Sequence, residues 1–487
     1  MSSINTDKYR TFLAQQFYTA LLLSGANANV KANMASTNTS VMSAGAAPAS
    51  EFYLAVGRPH AWTSDAAPPT PTQATQNLDF TGWRDLLGVK HVTANTSALV
   101  IARHDWAVNT VYTQYDDTNT TLNSNTFYVL DTSDLPYKVY KCLWNNTDAT
   151  HTSGANSTVA PSSTGSTVTP ALTADGYVWK YMYTIGTDQY KFLTAAWMPV
   201  TTNATVSTNA TTYAGQLSTI VPLLVSAGGS AYNAAVNVTT SLLGDGLGAF
   251  INGASSNTNI KIVSGAIANV SLSNSSNLGY TTVDTLTLTQ AGVSNTATVR
   301  ALIPPYPNHG HDAAKELGCV SVMLTGELAY DEAHGNSSLT VVNNYRRIML
   351  IRDPLLANGS VANDIFYQQT YDCVLTSNTG VFEPDDTVTV SNTVGATTFV
   401  VTGTVVDVIA ANATHNKVRI TNVNDRGRTV AYANTDTLTS DAVTAVLGTI
   451  TVPELQFFSG DILYMDQRVP VTRSSDQLEE IKLVFTF

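Results

Sequence analysis

Charge is what this sequence most lacks. Only 12% of its residues are Asp, Glu, Lys or Arg, about half the share of an average globular protein. Thr, Asn, Ser and Ala take their place. A surface short of charge does little to resist association, so extensive contact with neighbouring proteins is expected. Basic residues are the scarcer sign: 24 Lys and Arg against 36 Asp and Glu give a net charge of −12. Phosphate recognition needs clustered Lys and Arg, so nucleic acid is not expected as a partner. The pair Arg346-Arg347 reads as a solvated strand end rather than a basic patch. Cysteine is rare too: Cys142, Cys319 and Cys373 are all there is. An odd count without CxxC spacing gives no disulfide framework and no zinc site. Three reduced, mostly buried thiols are expected instead, as in a protein assembled in a cytosol. No apolar run reaches the roughly 18 residues that a membrane span needs, so no membrane partner is expected.

What is present is a chain rich enough in apolar residues to fold, at 44% hydrophobic. Its 487 residues suggest about three domains. A first helix is predicted from Asp7 as cap, with Tyr9, Phe12, Leu13, Phe17, Ala20 and Leu21 at helical spacing, ending near Ser24-Gly25. The run from Phe17 to Ala28 faintly mimics a secretory signal, but Gln15 and Gln16 interrupt it. A polar link follows to Pro48, then a strand from Glu51 to Val56 and a proline-rich loop from Ala66 to Gln76. Phe80 to Leu87 is predicted as a short helix capped by Asp79. Strands follow at Ser97–Ala102, Thr126–Leu130 and Lys138–Leu143, with a Ser/Thr/Asn/Gly loop over 147–169. In Gly176–Ile185, Tyr177, Trp179, Tyr181 and Tyr183 alternate with Val178, Lys180 and Met182, the pattern of a strand with one wide aromatic face.

The texture changes twice. From about Thr205 to Ile303, short Val/Leu/Ala strands alternate with glycine turns and charge nearly vanishes. From Cys373 to about residue 455, alternating Val and Thr with Gly and Asn turns suggest a small barrel or sandwich. The predicted fold is mainly β: a multi-layer β-sandwich host domain with a few short helices, interrupted by two all-β insert domains. The host comprises 1–204, 304–372 and 456–487, and the inserts 205–303 and 373–455. The last strand runs to Phe487 without a polar tail and must be paired to be held.

The search for chemistry finds no convincing constellation. His309-Gly310-His311-Asp312 could offer metal ligands, but it leads into an apparent helix, where His311 or Asp312 reads better as a cap. Glu383 near Asp385-Asp386 leaves a weak calcium site conceivable without the fixed oxygen offsets of an EF-hand. Gly244-Asp245-Gly246 lacks the Lys and the following helix of a phosphate loop and reads as a turn. The aromatic strand could stack sugars or bases, but a core or protein interface fits it better. No enzyme activity, cofactor or small-molecule substrate is expected.

Five blocks carry a resemblance. They are FYLAVGRPHAWTSDAAPPTP from Phe52, VIARHDWAVNTVY from Val100, KVYKCLW from Lys138, ADGYVWKYMYTI from Ala174, and SGDILYMDQRVPVTRSSDQLEEIKLVFTF from Ser459. In content and order they resemble the baseplate wedge subunit of contractile-tailed bacteriophages, of the gene product eight type. The residues that carry it are Gly57, Arg58, Trp62, Arg103, Asp105, Trp106, Asp175, Gly176, Tyr177, Trp179, Gly460, Tyr464, Met465, Arg468 and Pro470. The likeness covers about the first 200 residues, Tyr345 to Tyr371 and the last 30, leaving the two insert regions uncovered. It looks like a marine-phage relative with two inserts. The resemblance implies a mainly β protein, a homodimer within each wedge, and contacts with the products of genes six, seven and ten. It implies a place in the virion tail baseplate after assembly in the host cytoplasm, with no catalytic residue. The alternative is a virion adhesin or tail-fibre-like protein that binds carbohydrate. Within the blocks, Trp106 and Trp179 are expected to be buried, and Arg58 and Arg103 to pair with carboxylates or carbonyls.

Overall fold

A computed structural model describes residues 4–25, 50–72, 75–148, 151–162, 170–233, 238–241, 244–253, 259–328, 344–394, 397–410, 415–426, 430–471 and 479–487. The predicted link up to Pro48 lies largely outside them. Strands take 41% of the residues and helices 13%, so the chain is mainly β with few, short helices, as its Val/Thr alternation predicts. The chain forms two compact units. The first holds residues 1–15, 98–322 and 485–487, and the second 16–97 and 323–484.

In the first unit, strands Tyr128–Asp131, Lys138–Asn145, Tyr177–Thr184 and Ala171–Leu172 form one antiparallel sheet in that order. The aromatic strand does not alternate between core and solvent: Tyr177 to Tyr183 are buried on both faces. Its neighbour Lys138–Asn145 is buried almost throughout. A sheet covered on both sides has no solvent face on which to place its polar residues. Lys141 and Lys180, which sit on these two strands, are therefore inside.

Residues 217–301 gather a core of their own, with Leu223, Ile251, Val270, Tyr280 and Val299 among its members. Around it run two small hairpins and a three-stranded sheet. The C-terminal strand is held as predicted. The Phe487 amide donates to the Val320 carbonyl at 3.0 Å, and Arg10 Nε donates to the Phe487 carbonyl at 2.5 Å.

The second unit holds a five-stranded antiparallel sheet. Its order is Phe366–Gln368, Leu86–Val92, Phe52–Gly57, Tyr345–Arg352 and Asp461–Val471. Helix Thr75–Arg84 lies close against it, since Gly82 leaves its Cα within reach of the Met349 and Met465 side chains. A closed six-stranded barrel spans Tyr371 to Thr451. Val388, Val390, Val401, Val405, Val418 and Ile420 fill it. Thr387 and Thr389, which alternate with the buried valines, stay more exposed. Closure leaves no sheet edge free to pair elsewhere.

Three local predictions need correction. Helix Asp7–Leu23 is where expected, but Thr6 caps it, its Oγ1 accepting from the Tyr9 amide at 3.2 Å. Its buried positions are Thr11, Ala14, Leu21 and Leu23, whereas Tyr9 and Phe12 are exposed. The helix is apolar around much of its circumference, so spacing did not single out the packed face. The helix predicted over Phe80–Leu87 runs instead from Thr75 to Arg84, with Asp79 in its interior and Leu86 opening a strand. A short apolar run suits helix and strand alike.

Candidate functional site

Arg58, one of the sequence-predicted residues of the second unit, belongs to a buried ionic cluster. It starts from a backbone contact. Strand Phe52–Gly57 shifts register at Val56/Gly57. A Cβ on Gly57 would sit 2.8 Å from the Asp85 carbonyl oxygen, so only glycine fits this approach. Arg58 follows with φ at +61°, its amide donating to that same carbonyl at 2.8 Å. The turn throws the Arg58 guanidinium over the Trp62 ring, 4.3 Å from its centroid. Trp62 Nε1 donates to the Arg468 carbonyl at 3.1 Å, tying this turn to strand Asp461–Val471.

Beneath it, Arg347 meets Asp85 at 2.5 Å, and Arg58 lies 3.7 Å from the same carboxylate. Arg346 forks onto Asp65 with bonds of 2.8 and 2.7 Å. Arg346 and Arg347 are 4% and 2% exposed, so the solvated strand end predicted for this pair is wrong. They belong to a strand buried along nearly its whole length, and each is matched to a carboxylate. Burial pushes the Asp85 carboxyl up, while Arg347 and Arg58 pull it back. Burial together with Arg58, Arg347 and Arg346 pushes His60 down to about 4, which keeps it neutral at pH 7.

The C-terminal block completes this framework. Gly460 has φ at +71°, and a Cβ there would come within 2.4 Å of the Arg352 carbonyl oxygen. Met465 pairs with Met349 across the strands and packs on the sheet core, and Tyr464 pairs with Leu350. Pro470 lies near the end of Asp461–Val471, the edge strand of its sheet, where a missing amide is tolerated.

The remaining block residues lie in the first unit. Arg103 forks onto Asp105 at 2.7 and 2.8 Å and donates to the Thr194 carbonyl at 2.9 Å. Trp106 is only half-buried, less than expected, with Nε1 donating to Ser157 Oγ at 3.1 Å. Asp175 gathers the amides of Thr158 and Val159 and the hydroxyls of Ser157 and Thr173. Burial pushes its carboxyl up, but these hydrogen bonds outweigh that and hold it below the ordinary value. Gly176 turns the chain into the aromatic strand. Tyr177 stacks on Trp179 with centroids 5.4 Å apart, and Tyr112 meets Trp179 edge-on at 5.5 Å. Trp179 is fully buried. These rings are core, with no face open to a sugar or a base.

Asp312, Asp245 and Asp386 each make hydrogen bonds that hold a cap or a turn. Asp312 caps helix Ala313–Glu316, accepting from the Lys315 amide at 3.1 Å. Asp245 closes a turn by accepting from the amides of Thr281 and Thr282. Asp386 closes another by accepting from the Glu383 amide. Asp116 and Asp117 both hold Arg300, at 2.7 Å each. Among the described residues, no three His, Cys, Asp or Glu come together as a metal site. All three cysteines are free and buried, as expected.

One cluster escaped sequence reading. Lys141 and Lys180 face each other across neighbouring strands, 1% and 3% exposed. Lys141 Nζ lies 3.1 Å from Glu316 Oε2, 3.2 Å from His309 Nδ1 and 4.4 Å from the Tyr115 ring centroid. Lysine within the run WKYMY was a signal, because an unbroken aromatic and apolar run leaves it no solvent face. No protein-family model matches the chain, and no curated protein is detectably similar to it.

Proposed function

We propose that the chain is a structural subunit of the baseplate wedge of a contractile-tailed bacteriophage. It acts as a homodimer that bridges other wedge proteins, of the kinds encoded by genes six, seven and ten. It takes part in baseplate assembly and in the change of the plate at infection. The observation that carries this reading is the set of five blocks, in order, along the host segments of the sequence.

The positions of the block residues support a scaffold. Arg58, Trp62 and Arg468 tie a turn to a strand, Arg103 and Asp105 pin a strand end, and Asp175 gathers a loop. These are devices that fix backbone geometry. A subunit whose faces are covered by neighbours needs little charge to stay soluble, which fits a chain with 12% charged residues. The reading assigns no catalytic residue and no cofactor, and it places the chain in the virion.

Light scattering on the purified chain tests the assembly unit. A dimer of a 51.8 kDa chain that co-purifies with other wedge proteins when mixed agrees with the proposal. A trimer that captures glycans on an array would overturn it in favour of an adhesin.

A further inference from the structure

The first unit holds a cavity of about 130 Å³, close to the ~150 Å³ that holds a benzene ring in an engineered core. The host segments contribute Leu143 and His309 to its lining, and the region of the first insert Val221, Leu223 and Leu302. Polar groups on the lining are spent on the chain itself. Tyr115 Oη donates to the Ile303 carbonyl at 2.9 Å. The Asn308 side-chain amide donates to the Tyr213 and Gln216 carbonyls. Ser218 Oγ accepts from the Ile220 and Val221 amides. Lys180 lies under the charge of Glu316.

His309 is the exception. Lys141 Nζ lies 3.2 Å from His309 Nδ1 and 3.1 Å from Glu316 Oε2. An ammonium has hydrogens to give and no lone pair to take one, so Nδ1 accepts. Burial, with Lys141 beside it, pushes His309 down to about 4, and the ring is neutral at pH 7. A neutral imidazole whose Nδ1 accepts carries its proton on Nε2. Among the described residues, His309 bonds through Nδ1 and its backbone amide, and Nε2 has no partner. With Nδ1 turned to Lys141, the edge that carries Nε2 is left to face the cavity. A water held there would meet one polar partner, where a bound water needs two to four.

We propose that this cavity binds a small neutral ring compound with one hydrogen-bond acceptor, the acceptor on His309 Nε2–H and the ring among Leu143, Val221 and Leu302. An ion would lose its hydration against this lining, and a pure hydrocarbon would leave the N–H unmet. The region of the first insert then has a role: it supplies the apolar wall of a ligand site whose polar contact comes from the host. This inference does not depend on the place of the chain in a virion.

The test uses the full chain, isotope-labelled at histidine, with benzene and pyridine at about pH 8, where pyridine is uncharged. Pyridine has the shape of benzene and adds one acceptor. Both are expected to bind and to slow hydrogen exchange over 216–223, and only pyridine to shift the His309 Nε2 resonance. His309→Phe is expected to lower the affinity for pyridine relative to benzene about fivefold, the worth of one neutral hydrogen bond. Three results would overturn the proposal: no binding of either ring at millimolar concentration, pyridine that leaves the His309 resonance unmoved, or protection that appears elsewhere in the chain. The resonance of the unaltered protein decides the matter even if His309→Phe does not fold.

Discussion

Replacing Arg347 by Met tests the ionic cluster of the second unit. The substitution keeps much of the side-chain volume and removes one charge. Asp85, 2% exposed, would then keep only Arg58, 3.7 Å away and itself partly exposed. Breaking a buried pair from one side costs about 3–5 kcal/mol, because the remaining charge is left uncompensated. For a unit of this size, each kcal/mol moves the melting temperature by about 2–4 °C. A fall of about 6–20 °C is expected. Amides of strand Tyr345–Arg352 should exchange about two to three and a half orders of magnitude faster, if they exchange through opening of the whole unit. Asp85→Asn alone should cost about as much. The double variant Arg347→Met/Asp85→Asn should lose clearly less than the two singles summed, with a coupling of about 2 kcal/mol or more. Single variants that melt within a few degrees of the parent, or costs that simply add, would refute the view that these two groups hold each other in the core.

Trp179→Ala should destabilise the first unit by about 3–5 kcal/mol, since it empties a fully buried ring site between Tyr112 and Tyr177; chemical denaturation read by near-UV dichroism checks this. Gly460→Ala should cost about 1–3 kcal/mol, because the residue sits at φ +71° against the Arg352 carbonyl; a thermal melt measures it. The first unit should lose stability as pH falls. His309 is held near 4, below its unfolded value of about 6.5, so the unfolded chain takes up its proton first and stability drops between those two values. Glu316, held at about 2, adds a second loss from about pH 4.5 downward. His309→Gln should flatten the upper part of a stability–pH curve and leave the lower part.

The fold class was legible because period-two alternation of Val with Thr survives wherever one strand face is wet, as in the barrel strand Thr387–Val394. Alternation misled where both faces are covered. Lys180 alternates with the aromatic residues of its strand, yet it is buried as they are. The Arg346-Arg347 pair was misread for the same reason: without knowing that Asp65 and Asp85 arrive from elsewhere in the chain, two adjacent charges look solvated. Of the Asp caps read from the sequence, Asp312 behaves as read, whereas Thr6 takes the place of Asp7 and Asp79 lies inside Thr75–Arg84. Spacing within one segment cannot show which distant groups meet. The buried ionic clusters of both units depend on such meetings.

The most direct test of the central claim is cryo-electron microscopy of purified virions that carry this chain. The account predicts its density in the tail baseplate, as a dimer in each wedge. Finding it in the capsid, the neck or the distal fibres, or finding no copy in the particle, would contradict the account.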